Sequence, residues 1–135
     1  MRVLIDTNIA LDIYLKREPF ITESLKAVQK ASKAGNSIYF SCSAITDFYY
    51  LSRKNLYSNE EALEFVINLS QHVKLAEVNK RIIFSSFVSQ IKDYEDAVID
   101  EVADSINADY ILTRNKKDFE HSKVKAITPK EFLSL

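Results

Sequence analysis

Four oxygen-bearing side chains, those of Asp6, Asp47, Asp96 and Asn115, occur where the chain passes from one predicted element to the next. Asp6 directly follows one apolar run typical of a buried strand, and Asn115 closes another. Because the carboxyl ends of parallel strands meet at one edge of a sheet, where open α/β proteins form their ligand crevices, these two side chains are predicted to point into one crevice. The crevice is the first place to look for chemistry.

Asp47 and Asp96 are each predicted to lie in the first turn of a helix. At about 100° per residue, Asp96 falls close to the apolar row of Ile99 and Ala103, and Asp47 lies at the margin of the arc that contains Phe48. Both carboxylates are therefore expected to border the core. Carboxylates that converge near apolar surface are costly without a counter-ion, and a divalent metal ion would serve as one.

Each of the four residues also has a purely structural interpretation. Asp6 is a suitable N-cap for a helix over residues 9–15, and Asn is a favoured turn residue at position 115. Acidic residues in first helical turns, such as Asp47 and Asp96, are common because they oppose the helix dipole, an effect of about 0.3 to 1 kcal/mol each. These alternatives remain open from the residues alone.

The predicted ligand set contains oxygen donors only. His72 is expected at the end of its helix, His121 is expected in a surface loop, and Cys42 is the single cysteine, so Mg²⁺ or Mn²⁺ suits the site better than zinc. A metal ion held by a few carboxylates keeps water ligands and can activate one of them while it stabilises charge on a phosphate. Phosphodiester hydrolysis is the reaction class that follows.

A modest basic rim accompanies the acidic residues. Arg114, Lys116 and Lys117 flank Asn115, and Arg53 lies one to two turns beyond Asp47, so these cations are predicted to hold neighbouring phosphates. The alternative is an ordinary solvated surface.

Alternating strands and helices must position these groups. Apolar runs predict strands at residues 3–5, 38–40 and 110–112, with weaker candidates at 73–76 and 124–127. Helices are predicted over residues 21–34, ending at Gly35, and after two capping boxes, Ser58 to Glu61 and Thr128 to Glu131. This alternation predicts a three-layer α/β/α fold with a central, mostly parallel sheet.

Length and charge narrow the class of protein further. The 135 residues suit one domain, residues 1–135, because a core of ordinary size needs about 100 to 150 residues. A net charge of −1 argues against a protein that coats nucleic acid with a broad basic face, although not against an enzyme that grips a few nucleotides. Neither a signal peptide nor a membrane span is predicted, and the single cysteine suits the cytoplasm.

Four short motifs in order resemble those of the PIN domain over essentially the full chain. They are Asp6-Thr7-Asn8, Asp96-Ala97, Thr113-Arg114-Asn115 and Asp118-Phe119. The resemblance implies a metal-dependent ribonuclease. For a domain of this size it suggests a VapC-like toxin that forms a homodimer and is silenced by a small antitoxin.

The resemblance also implies roles for single residues. Asp6 would be the central metal ligand, Asp96 the third acidic position and Thr113 a hydroxyl that orients a ligand, while Asn8 would brace the Asp6 loop. Two positions depart from the commoner pattern. The second acidic position, more often Glu, is the shorter Asp47, and the fourth, often Asp, is Asn115. Asp100 or Asp118 is our candidate for the missing charge.

Two other functions compete with the nuclease. A PIN-like domain in which the acidic residues of the site are fewer or shorter than usual would hold RNA or a protein partner without cutting it. Asp6 would alternatively accept a phosphoryl group, as strand-end carboxylates do in some phosphatases and receivers. Haloacid-dehalogenase-like phosphatases need a second Asp two positions on, where this chain has Asn8.

Overall fold

The computed structural model describes all 135 residues as alternating strands and helices. The strands are β1 (Arg2–Ile5), β2 (Ser37–Ser41), β3 (Lys74–Ala76), β4 (Tyr110–Leu112) and β5 (Ala126–Ile127). The helices are α1 (Thr7–Tyr14), α2 (Ile21–Ala31), α3 (Ile45–Arg53), α4 (Asn59–His72), α5 (Lys80–Ser86), α6 (Tyr94–Ser105) and α7 (Pro129–Leu133). Short 3-10 turns occupy Cys42–Ala44 and Lys116–Phe119.

The five strands form one sheet in the order β3-β2-β1-β4-β5, and every pairing is parallel. The mostly parallel sheet predicted from the sequence is therefore parallel throughout. From β1 the chain first adds β2 and β3 on one side and later β4 and β5 on the other. The carboxyl ends of β1 and β4 consequently lie at the switch point of the sheet, where α/β folds form a crevice.

Helices cover the sheet in two groups, giving the predicted three-layer α/β/α architecture. In one group α1 contacts α2 and α3, α2 contacts α7, and α3 contacts α4; in the other, α5 contacts α6. Val3 and Leu4 of β1 and Ile111 of β4 are fully buried within one apolar cluster. These apolar strands are buried on both faces, as their sequences predict. No helix combines the length and apolar composition that crossing a membrane requires.

The end of one predicted helix and the form of one predicted capping box differ in the structure. Helix α2 ends at Ala31 rather than continuing to Gly35, which instead adopts a φ of 89° in the turn before β2. At the start of α4, Ser58 accepts the Glu61 N–H as predicted, but the Glu61 carboxylate accepts the N–H of Tyr57 and not that of Ser58. The Ser58 capping box is therefore only half formed.

Helix α5 was not predicted. It is only seven residues long, too short for a clear apolar period, and it begins where the Asn79 side chain accepts the Ile82 N–H at 2.9 Å. The second predicted capping box, between Thr128 and Glu131 at the start of α7, is complete.

Candidate active site

Asp6 lies at the carboxyl end of β1 and is 9% exposed. Its Oδ1 accepts the Thr7 N–H at 2.8 Å, and its Oδ2 accepts the Thr113 hydroxyl at 2.8 Å and the Asn8 side-chain amide at 3.2 Å. Asp6 is thus the N-cap of α1, as one interpretation of the sequence held. The same contacts fix the direction in which its carboxylate faces, so the capping role and a site role are compatible.

Thr113 is the fully buried residue that connects the two strand ends. Besides donating to Asp6, its hydroxyl oxygen accepts the Asn115 backbone N–H at 3.0 Å and the Asn8 amide at 3.4 Å. Asn8 in turn accepts the Arg114 N–H at 3.3 Å through its Oδ1. Asn8 and Thr113 therefore both hydrogen-bond to the Asp6 carboxylate.

Burial raises the pKa of the Asp6 carboxyl above its ordinary value, and the nearby charge of Asp118 raises it further. The hydrogen bonds from Thr113 and Thr7 and the positive charge of Arg114 act in the opposite direction. Burial is the largest of these effects. Asp6 is consequently a carboxylate that the fold makes costly to ionise without a nearby cation.

Asp96 lies in the first turn of α6, where Asp93 is the N-cap and accepts the Asp96 N–H at 3.0 Å. Partial burial and the charges of Asp6, Asp93 and Asp118 raise the pKa of Asp96 to about 7. Because Asp6 and Asp118 both act on Asp96, and Asp118 also acts on Asp6, these three carboxyls form one electrostatic group. We call Asp6, Asp96 and Asp118 the acidic cluster.

Asp47 joins this region through Glu95. The two carboxyl groups share a hydrogen bond, which together with burial and the charges of Asp47, Asp93 and Asp96 raises the pKa of Glu95 to about 7. Glu95 was not among the predicted site residues. Its signal in the sequence was the acidic run of residues 93–96 at the start of α6, in which only Asp96 was singled out.

The three remaining oxygen candidates lie in different settings. Asn115 is exposed, and its backbone N–H contacts Thr113 while its side chain has no hydrogen bond. Asp118 lies in the following 3-10 turn, and its negative charge raises the pKa values of Asp6 and Asp96. The carboxylate of Asp100 is buried, and its two oxygens accept the backbone N–H groups of Lys123 and Val124 at 2.9 and 3.0 Å. Asp100 therefore anchors the segment before β5 and is left out of the ligand set that we propose below.

Most of the predicted basic rim is already paired within the protein. Lys116 contacts Glu131 at 2.9 Å, and Arg53 donates to the Asn59 side chain and the Leu56 carbonyl. Lys117 has no hydrogen bond or ion pair.

Arg114 makes the strongest of these pairings, with Asp12, a residue that the sequence analysis missed. The Asp12 side chain is completely buried and accepts hydrogen bonds from Arg17, Arg114 and Ser24. Its signal was position: Asp12 lies one helical turn beyond Asn8 and directly follows the buried Leu11, so it faces the interior near the site.

The donor chemistry of the site fits a hard divalent cation. No three carboxylate, imidazole or thiol side chains lie close enough together to hold a metal ion by themselves. Mg²⁺, however, is usually bound through one or two carboxylates, with water and substrate phosphate completing its shell. The acidic cluster offers carboxylates whose mutual repulsion a cation would relieve. His72, bonded to the Asn68 carbonyl at the end of α4, and the exposed His121 lie elsewhere, as predicted.

Solved structures share this fold across nearly the whole chain. VapBC-1 from nontypeable Haemophilus influenzae is 18% identical, with a TM-score of 0.75, and the match covers 96% of this chain and 99% of that one. VapBC2 from Rickettsia felis, solved with a DNA fragment from its promoter, is 17% identical with a TM-score of 0.72, covering 95% and 98%. Mycobacterium tuberculosis VapC20, described as a sarcin-ricin loop cleaving toxin, is 14% identical with a TM-score of 0.65, covering 81% and 86%.

A comparison with curated protein sequences found no significant match. The family model described as PIN domain matches residues 2–117, a span that begins with β1 and ends just beyond β4. It includes Asp6, Asp47, Asp96 and Thr113. With the motifs, the sheet order and this match in agreement, the chain belongs to the PIN domain family.

Proposed function

We propose that this protein is a Mg²⁺- or Mn²⁺-dependent endoribonuclease that hydrolyses RNA phosphodiester bonds, and that it is the toxin of a toxin–antitoxin pair. The observation that carries the proposal is the electrostatic coupling of Asp6, Asp96 and Asp118 at the switch point of the sheet. Asp118 raises the pKa values of both Asp6 and Asp96, and Asp6 raises that of Asp96. Carboxyls with pKa values raised in this way are costly to a fold and are typical of a functional site. PIN domains are generally nucleases, which supports this reaction class.

Asp6 and Asp96 would hold the metal ion, with Asp118 adding negative charge and Asn115 beside it as a neutral neighbour. When bound, the ion supplies positive charge at the phosphate and a water molecule of increased acidity. Thr113 and Asn8 hold Asp6 Oδ2 in place through their hydrogen bonds, so that the carboxylate is oriented before substrate arrives.

We propose that Asp47 acts together with Glu95. The interaction with Asp47, together with burial, raises the pKa of Glu95 to about 7, so Glu95 gains and loses a proton near neutral pH. A group with such a pKa is well suited to give a proton to the oxygen that leaves the broken phosphodiester bond. Glu95 lies in the first turn of α6, next to the metal ligand Asp96.

Membership of the PIN domain family and the VapC-like pattern of motifs support a role as a toxin. Relatives with this fold have been solved as VapBC and FitAB assemblies, and VapC20 is described as a toxin. We propose that this chain likewise binds a small antitoxin, forms a homodimer and acts in the cytoplasm. Coexpression with the product of a neighbouring gene, followed by copurification and light scattering, tests the partner and the homodimer together.

RNA cleavage in the presence of Mg²⁺ or Mn²⁺ tests the enzymatic proposal. Single-stranded and structured RNAs are incubated with the wild type and with Asp6→Asn and Asp96→Asn, and Asp104→Asn, exposed near the far end of α6, is the matched control. We expect cleavage by the wild type and Asp104→Asn only, and no cleavage with EDTA. RNA binding without cleavage by any of the four proteins would instead favour the non-cutting binding module.

A further inference from the structure

Two arginines share one completely buried carboxylate beside the acidic cluster. Arg17 contacts Asp12 Oδ1 at 3.0 Å, while Arg114 contacts Asp12 Oδ2 at 2.7 Å through Nε and Oδ1 at 3.2 Å through Nη2. Ser24 also donates to Oδ2, at 3.1 Å. One buried negative charge is therefore held by two positive charges.

This group has more positive charge than the anchoring carboxylate can neutralise. The side chains of Arg17 and Arg114 are 37% and 26% exposed, whereas Asp12 is 0% exposed, so the excess charge faces solvent. The Nη1 groups of both arginines have no hydrogen-bond partner in the protein. Free guanidinium donors held in a fixed position suit phosphate recognition.

The arginine pair is held rigidly. The Arg114 guanidinium lies 3.8 Å from the centre of the Phe20 ring, and Arg17 Nη2 also donates to the Asn8 carbonyl at 3.3 Å. The Arg17 backbone N–H donates to the Asp12 carbonyl at 2.9 Å, which closes the turn after α1. Little side-chain entropy remains to be lost when an anion binds.

Each arginine contacts or directly follows a residue that hydrogen-bonds to Asp6 of the acidic cluster. Arg114 directly follows Thr113, the donor to Asp6, and its charge lowers the pKa of Asp6. Arg17 contacts the backbone of Asn8, whose side chain donates to Asp6. A nucleic-acid strand at the acidic cluster would thus have a positive group beside it.

We propose that Arg17 and Arg114 bind an RNA phosphate adjacent to the one at the acidic cluster, with buried Asp12 as their anchor. This inference rests on the proposed ribonuclease function. It places substrate binding on the turn after α1 as well as after β4, whereas the sequence analysis had considered only residues near Asn115 and Asp47. A purely structural role would need only one guanidinium to balance Asp12.

The test measures binding of a fluorescein-labelled, single-stranded RNA of about 12 nucleotides by anisotropy in EDTA, so that cleavage is off. The proteins are the wild type, Arg17→Gln, Arg17→Lys and the control Arg81→Gln, which removes an exposed arginine of α5. Affinity is measured between about 50 and 200 mM salt, because each lost phosphate contact on single-stranded RNA reduces the salt slope by about 0.7. Cleavage kinetics with Mg²⁺ and thermal unfolding are measured on the same proteins.

We expect Arg17→Gln to reduce the slope of log affinity against log salt by about 0.7, the value for one phosphate contact. The substitution should also raise KM more than it lowers kcat. Arg17→Lys should recover part of the slope, and Arg81→Gln should match the wild type. If Arg17→Gln left the salt slope of RNA affinity and KM unchanged, even with a lower Tm, the role of Arg17 and Arg114 would be structural only. That result would overturn the inference. So would a wild type that does not bind the RNA. Failure of the wild type to cleave, with the Arg17-dependent slope intact, would overturn the nuclease function instead.

Discussion

The Thr113 hydroxyl donates a 2.8 Å hydrogen bond to Asp6 Oδ2 and so joins the carboxyl ends of β4 and β1 across 107 positions of sequence. The two strands also pair directly, with Leu112 opposite Ile5. One buried hydroxyl therefore connects the pairing of the central strands to the orientation of the most buried carboxylate of the site.

Replacing Thr113 with valine keeps the shape of the side chain and removes the hydroxyl. The change leaves the Asn115 N–H without its acceptor and Asp6 without its shortest side-chain donor. We expect a loss of about 1 to 3 kcal/mol in the free energy of unfolding, measured by urea denaturation. Mg²⁺ affinity, measured by calorimetry, should fall about 10- to 100-fold. Thr113→Ser, which retains the hydroxyl, is the control, and equal metal affinity in Thr113→Val and Thr113→Ser would contradict the orienting role.

Asp12→Asn should be among the most damaging single substitutions in the chain. It removes the negative charge that two arginines share and leaves their guanidinium groups without a buried counter-ion. Breaking a buried ion pair on one side costs about 3 to 5 kcal/mol of stability. Thermal or urea unfolding measures the loss, with the exposed Asp104→Asn expected to lie within about 0.5 kcal/mol of the wild type. A stability loss in Asp12→Asn no larger than in Asp104→Asn would show that the arginines do not depend on it.

Asp96 of the acidic cluster and the neighbouring Glu95 should make the stability of the protein depend on pH in opposite ways with and without metal. The folded-state pKa values of Glu95 and Asp96, about 7, lie above their ordinary values of 4.5 and 3.8. The folded protein therefore holds these protons more tightly than the unfolded chain. The stabilisation that they contribute is complete below about pH 4 and is lost as the pH rises through about 7.

Mg²⁺ needs the ionised carboxylates, so the rise in Tm caused by Mg²⁺ should increase over the same pH range. Scans of Tm with Mg²⁺ and with EDTA measure both effects. In Asp96→Asn we expect the EDTA profile to flatten and the Mg²⁺ effect to shrink. If Mg²⁺ stabilised the wild type equally at pH values well below and above 7, the carboxylates would not be the groups that bind it.

Asp118, rather than Asn115, should supply the fourth oxygen group of the site. Asp118→Asn removes a charge that acts on both Asp6 and Asp96, so the pKa values of those two carboxyls should fall. We expect Mg²⁺ affinity to weaken about tenfold in Asp118→Asn, by analogy with the loss of other groups that support metal ligands. Calorimetric titration compares it with Asn115→Ala, which removes a side chain that makes no hydrogen bond in the protein. A larger loss in Asn115→Ala than in Asp118→Asn would reverse the assignment.

The parts of the fold that the sequence predicts correctly are those determined by neighbouring residues. The buried strands are visible as apolar runs, and the N-cap at Asp6 depends on a contact between adjacent residues. The same local signals place Asp6 and Asp96 at the start of helices. The parallel sheet follows from the alternation of elements, because parallel strands need crossover connections.

Long-range pairings explain what the sequence could not predict. Asp12 and Arg114 are 102 positions apart, and nothing local to either residue shows that the guanidinium contacts a buried carboxylate. Asp100 has the helical position expected of a site residue, but the N–H groups of Lys123 and Val124 occupy its oxygens. The position of Asp118 near Asp6 and Asp96 likewise depends on how the 3-10 turn after Asn115 packs. No periodic pattern in the sequence indicates it.

The order of strands in the sheet also has a consequence for protein synthesis. A ribosome that has completed β3 has produced β1, β2 and Asp47, but neither α6 nor β4, which supply Asp96 and Thr113. Asp6 is made well before β4, the strand that pairs beside β1 and is followed by Thr113, which orients the Asp6 carboxylate. Chains that stop before β4 therefore carry no complete acidic site, and any activity that depends on the site requires the synthesis of both α6 and β4.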